Sequence, residues 1–153
     1  DAGVDTQKRT LINQGVLKTY LYTLETAAKD GVEPTGHGPL GNKVTADLHY
    51  IKVKPGKKSF DEIISGIKEG VYVTALEGLH AGLNTKSGNF SLQAQGFMIK
   101  DGKLAEPLAL ITVAGTLQDM WANIKEIAND SELILSGASC PSIYIKKLAI
   151  SGK

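Results

Sequence analysis

Phe90-Ser91-Leu92-Gln93-Ala94-Gln95-Gly96-Phe97-Met98-Ile99-Lys100, then Asp101-Gly102, then Lys103-Leu104-Ala105-Glu106-Pro107-Leu108-Ala109-Leu110-Ile111-Thr112-Val113-Ala114, is the stretch that decides the fold. Two long β-prone runs flank an Asp-Gly pair, the dipeptide suited to the two positive-φ positions of a type I′ hairpin turn. An antiparallel hairpin of this length needs further strands and helices to cover its apolar side chains. The rest of the chain supplies them.

Before the hairpin, Val71-Tyr72-Val73-Thr74 reads as a strand. Upstream of it, Ser59 with Glu62 forms a capping box, and Phe60, Ile63, Ile64 and Ile67 lie at helical spacing. Gly70 is the expected stop of that helix. After the hairpin, a helix is expected from Thr116, burying Leu117, Met120, Trp121, Ile124 and Ile127. Strands are expected around Glu132 to Leu135 and Ser142 to Ile150. Nearer the start, Thr10-Leu11-Ile12, the turn Asn13-Gln14-Gly15 and Val16 to Leu21 read as a hairpin, followed by helix from Tyr22 to Lys29. Residues 31–43 read as loop, and Asp47 to Val53 as a strand. About seven strands and three helices give an α+β fold, built on a predominantly antiparallel β-sheet or open barrel. At 153 residues, one domain spanning residues 1–153 is expected. The chain opens at Asp1 without an initiator Met, which suggests a processed product or an excised domain whose upstream part is absent.

Composition narrows function by exclusion. Seventeen Lys and Arg against sixteen Asp and Glu leave a net charge of +1, with no basic excess for direct nucleic-acid contact. Lys52, Lys54, Lys57 and Lys58 form the densest basic stretch, but Pro55 and Gly56 break it into a solvated turn. No apolar run approaches the ~18 residues of a membrane span, so no membrane partner is expected. The single Cys140 forms no internal disulfide and fits a reducing, cytoplasmic setting.

The chain yields no complete catalytic constellation. His37, His49 and His80 are far apart and lack the i, i+4 spacing of a helical zinc motif. Gly36-His37-Gly38-Pro39-Leu40-Gly41 matches a dinucleotide fingerprint by letter only, because no strand precedes it and Pro39 sits inside it. Ser87, Ser91 and Ser139 lack a nucleophile elbow, and Cys140 stands before Pro141 with no base signalled beside it. Asp61-Glu62 sits at a helix start, where carboxylates meet the positive end of the dipole. Trp121 and the other aromatics fall at core spacings, so no stacking platform is expected. One polar connection stands out. His80, Gly82, Asn84, Ser87, Gly88 and Asn89 lie between two good strands, where a long loop and a free strand edge suit peptide or partner binding. The bland alternative is a tight β connection with bulges.

Residues in and around that connection carry a resemblance. Glu69-Gly70-Val71-Tyr72-Val73-Thr74, Gly82-Leu83-Asn84 and Ser87-Gly88-Asn89-Phe90-Ser91-Leu92 resemble the core pattern of the TldD/PmbA family, also called modulators of DNA gyrase. Gly96 to Lys103, Thr10 to Leu17, and Pro141-Ser142-Ile143 with Leu148 to Gly152 resemble further family stretches, so the match covers a carboxy-terminal domain end to end. The resemblance implies a metallopeptidase assembly of two related subunits, in which the TldD type carries zinc and the PmbA (TldE) type does not. The chain resembles the PmbA type, because the Cys-Gly-Lys-x-Gly-Gln segment that brings the zinc cysteine of TldD-like chains is missing. Cys140 occupies a later position, before Pro141-Ser142, and inherits no ligand role. The implied function is a non-catalytic, peptide-handling or partner-binding domain, without a cofactor of its own and with zinc in the partner subunit. The implied partners are a TldD-like paralogous subunit or a second copy, and a peptide or unfolded-protein substrate. Alternatives are a zinc metallopeptidase completed by upstream ligands and a gyrase-related regulator.

Overall fold

A computed structural model describes residues 3–38, 45–46, 48, 50–134 and 137–152. The chain forms two compact units, residues 1–51 with 136–138, and residues 52–135 with 139–153.

In the first unit, β1 (Ile12–Asn13) and β2 (Val16–Leu17) make the expected hairpin, with Ile12 opposite Leu17. The helix α1 (Leu24–Asp30) begins two residues later than the sequence suggests. The reason is Thr23, whose hydroxyl accepts the Thr26 amide and so fixes the start of the helix. Behind it, buried Thr35 clasps Tyr22, accepting its N–H at 2.8 Å and donating to its carbonyl at 3.0 Å. His37 Nδ1 lies 3.1 Å from the same hydroxyl. Gly36 and His37 are therefore part of a packed loop; Pro39, Leu40 and Gly41 lie outside the described residues. The strand expected from Asp47 to Val53 reduces to β3 (Ile51–Lys52), and Asp47 and His49 also lie outside the described residues.

The second unit is organised by the long hairpin. β5 (Asn89–Lys100) and β6 (Lys103–Thr116) pair as the sequence predicts, and Asp101 (φ 46°) and Gly102 (φ 78°) form the positive-φ turn. With β4 (Glu69–Glu77) and β11 (Ala149–Ser151) they form an antiparallel sheet of order β11-β6-β5-β4. The pairing slips on both sides of Gly96. Between Val73 and Ala75, β4 carries an extra residue, and between Leu108 and Ile111 β6 carries another. The second bulge holds Leu110 at φ 57° with 75% of its surface exposed, a left-handed conformation that leucine rarely adopts.

Strand alternation then divides the core. Even-numbered Phe90, Leu92 and Ala94 pack with Ile111 and Val113 on one face of the sheet, covered by Leu117, Met120 and Leu148. Odd-numbered Ile99 points the other way and packs with Ile63, Ile64, Ile67 and Ala128. The sheet therefore changes the face it buries along β5.

Three sequence expectations need correction. The helix after Ser59 is shorter than expected: α2 spans Phe60–Ile64, and Gly70 belongs to β4. Ser65 Oγ donates to the Glu62 carbonyl, and Gly66 and Ile67 donate to carbonyls three residues back, so the chain tightens out of the α-helix. The helix after Thr116 is also short. α4 spans Leu117–Ala122, and Asn123 closes it through a side-chain bond to the Asp119 carbonyl. Ile124 and Ile127, β-branched, fall instead in β7 (Ile124–Ile127), paired with β10 (Ile143–Ile145), while Trp121 is 56% exposed rather than buried. Finally, the one strand expected from Ser142 to Ile150 is two, β10 and β11. With β8 (Glu132–Ile134), β9 (Ala138–Cys140) and a four-residue helix α3 (Leu79–Gly82), the described residues hold eleven strands and four helices. The class is α+β with mostly antiparallel sheets, and among the described residues the strands do not close into a barrel.

The capping box at α2 makes a pH prediction. The Ser59 N–H donates to the Glu62 carboxylate at 2.7 Å, and this backbone bond first, then the Ser59 side chain, holds the Glu62 carboxyl below its usual value of 4.5. A depressed folded-state value means the contribution is full above the unfolded value and is lost as pH falls through the folded one. Between about pH 5 and pH 3 the urea midpoint of the parent is expected to fall more steeply than that of Glu62→Gln. Parallel slopes would show the box to be idle.

Candidate functional site

The connection singled out in the sequence is mostly ordered by its own backbone. β4 ends at Glu77, and Gly78 takes φ 79° to start α3, with its carbonyl accepting from Ala81 at 3.0 Å and Gly82 at 2.7 Å. Gly82 then lies against β5 so closely that an added Cβ would stand 2.3 Å from the Ser91 carbonyl oxygen. Leu83 bridges to Phe90, and the turn from Asn84 to Asn89 leads into β5.

Within that turn the polar side chains already have work. Asn84 Oδ1 accepts the amides of Lys86 and Ser87, each at 3.0 Å, an Asx-type turn. Ser87 Oγ accepts the Asn89 amide at 3.3 Å. Gly88 donates to the Asn84 carbonyl at 2.8 Å, and its own carbonyl accepts from Leu117 at the start of α4. Asn84, Ser87, Gly88 and Asn89 thus share one hydrogen-bonded turn, Gly82 is a packing contact, and His80 is exposed on α3.

A neighbouring group was missed in the sequence. Glu77, Ser91 and Gln93 line a cavity of about 440 Å³ together with Gly78, Ala81 and Gly82. The signal was present as alternation: Ser91, Gln93 and Gln95 are the polar odd positions of β5, whose even positions from Phe90 to Gly96 are buried. What the sequence could not supply was the register that sets Glu77 opposite Gln93. β4 pairs only with β5 among the described residues, which leaves its outer backbone edge open beside this cavity.

The other sequence candidates disperse. Cys140 is exposed, and its S–H donates to the Pro141 carbonyl at 3.4 Å. Burial, then the Asp130 charge, pushes its thiol above the usual value of 9.0 and favours the protonated form. Ser139 is buried in a 2.7 Å bond with Ser131. Lys58 pairs with Glu126 at 2.8 Å, across the turn that carries the lysine-rich stretch. Among the described residues no three His, Cys, Asp or Glu side chains converge as zinc requires. No described helix is long and apolar enough to cross a membrane.

The sequence pattern of the PmbA/TldA metallopeptidase C-terminal domain matches residues 1–152. The chain belongs to this family. It is 32% identical over 151 residues to Metalloprotease PmbA of Escherichia coli O157:H7, covering 99% of this chain and 31% of that protein. Among solved structures, it resembles a Thermotoga maritima protein described as a candidate modulator of a DNA gyrase, with TM-score 0.89 and 37% identity, covering 99% of this chain and 34% of that one. It also resembles TldE from Thermococcus kodakarensis, with TM-score 0.87 and 27% identity, over 98% and 35% of the two chains. The chain spans about a third of the length of these relatives.

Proposed function

We propose that the chain is a non-catalytic, peptide-handling and partner-binding domain of a TldD/PmbA-type metallopeptidase assembly, acting on peptides or unfolded proteins. The observation that carries this reading is the open edge of β4 beside the cavity lined by Glu77, Ser91 and Gln93. An extended peptide can add to such an edge through main-chain hydrogen bonds, while neighbouring side chains sort its residues. The hydrogen bonds within the turn from Asn84 to Asn89 hold the adjoining surface in shape, which reduces the ordering entropy that opposes binding there. On this reading zinc is left to another subunit, in keeping with a Cys140 whose S–H is turned to the Pro141 carbonyl. That subunit is a TldD-like paralogue or a second copy, and His80, exposed on α3, is available to it or to the peptide.

The test uses the full chain, with and without a TldD-like protein. Bound zinc is measured by atomic absorption, and binding of a fluorescent, unstructured peptide by anisotropy. The expected result is peptide binding by the chain alone, and zinc in the mixture that is unaffected by Cys140→Ser. Stoichiometric zinc in the chain alone, lost in Cys140→Ser, would overturn the reading, as would failure of every peptide to bind.

A further inference from the structure

The strand register places four polar side chains in one row across all four strands of the sheet. Glu77 on β4 stands opposite Gln93 on β5, Gln93 opposite Thr112 on β6, and Thr112 opposite Ser151 on β11. Directly opposed residues project from the same face with Cβ atoms about 5 Å apart. The face is the one away from Phe90, Leu92 and Ala94, so the row looks outward. The next row toward the start of β5 is Ser91, Ala114 and Ala149, whose short side chains leave the polar row standing above a shallow floor. At the Glu77 end, Ala81 and Gly82 of α3 border the row and make it a shallow, open pocket.

The chemistry of this row is one-sided. It holds a single carboxylate, one amide and two hydroxyls, and neither Lys nor Arg lines the cavity. Among the described residues Glu77 takes part in no ion pair. A primary ammonium presents three donors and no acceptor. Glu77 can take one of them as a charge-assisted bond, and the Gln93 amide oxygen and the Ser91 hydroxyl can take the others. A lone carboxylate with neutral neighbours is too poor a set for a divalent cation, which needs six or more oxygens or several anionic ligands. The open pocket of about 440 Å³ leaves room for an ammonium group.

From this arrangement we infer that the end of the row at Glu77 recognises a primary ammonium group on the bound peptide, either its N-terminal amine or a lysine side chain. The inference rests on the peptide-handling reading above and adds its charge preference. It places the peptide's cationic group beside the open edge of β4, where the main chain would continue as an added strand.

The test uses the full chain and three fluorescent decapeptides of matched composition. One has a free N-terminus and no lysine, one is N-acetylated with a single lysine, and one is N-acetylated without lysine. At low salt, at least one ammonium-bearing peptide is expected to bind about fivefold more tightly than the fully blocked one, the upper range for a solvated ion pair. Which of the two gains identifies the source of the amine. In Glu77→Gln the three peptides are expected to bind with equal affinity. Equal binding of all three by the parent, or an advantage that survives in Glu77→Gln, overturns this inference and leaves peptide handling standing. Failure of all three to bind overturns both.

Discussion

Gly96→Ala is expected to destabilise the chain by on the order of 4 kcal/mol, more than any truncation of a surface side chain. A Cβ at this position would stand 1.8 Å from the Tyr72 carbonyl oxygen and 3.0 Å from the Val73 Cα. Both are backbone atoms of β4, so no rotamer change relieves the overlap and the two strands must part. The separation acts on both cores at once, because Tyr72 packs against the cluster around Ile99 while Val71 and Val73 pack against the cluster around Ile111. Overpacking of this kind costs about 1–3 kcal/mol, and each ladder bond broken between β4 and β5 adds about 1 kcal/mol. Against a total stability of roughly 5–15 kcal/mol, the substitution should remove a large fraction. Urea unfolding followed by circular dichroism reads the effect as a lowered midpoint at unchanged slope. A midpoint equal to the parent's would mean that β4 and β5 do not approach at Gly96 as described.

The same glycine shows where sequence reading stops. The hairpin was legible, because Asp101-Gly102 between alternating β-prone runs has one economical solution, and both residues take the predicted positive φ. The capping box at Ser59 and Glu62 was legible for the same reason: its partners are three residues apart. Gly96 gave no such signal, since its requirement comes from Tyr72, twenty-odd residues away, and from three register shifts that only the paired strands define. The overlong helices have a related cause. Ile67, Ile124 and Ile127 keep helical spacing, but Ser65 and Asn123 divert helix carbonyls to their side chains and end α2 and α4 early. Apolar residues then enter the core from a turn or a strand. Spacing alone cannot distinguish these routes.

For the candidate site, composition drew attention to the connection between β4 and β5, and the structure shows what its polar side chains bond to. Glycine, asparagine and serine between two strands pointed to the connection, yet Asn84 and Ser87 spend their side chains on its own amides. Glu77 and Gln93, which line the neighbouring pocket, read as ordinary strand residues in the sequence. They became a pair only through the register of β4 against β5.

Gly82→Ala decides whether α3 is a structural wall of that site, and two opposing effects fix the sign. Gly82 is the last residue of α3, and alanine is favoured over glycine in a helix by about 1 kcal/mol, so propensity alone predicts a small gain. Packing predicts a loss. The new Cβ would lie 2.3 Å from the Ser91 carbonyl oxygen and 2.9 Å from Leu92 Cδ2. Leu92 is a core residue at 5% exposure and Ser91 O belongs to the β5 backbone, so neither neighbour can give way freely. The clash should dominate, lifting α3 from β5 and uncovering Leu83 and Leu92, at a net cost of about 2–3 kcal/mol. Peptide affinity should fall with it, since Ala81 and Gly82 wall the cavity. His80→Ala, on the exposed side of the same helix, should stay within about 0.5 kcal/mol of the parent. A stability gain in Gly82→Ala would show that propensity acts unopposed. In that case α3 would stand free of β5, and the cavity at Glu77 would have no wall to hold a peptide residue against the sheet.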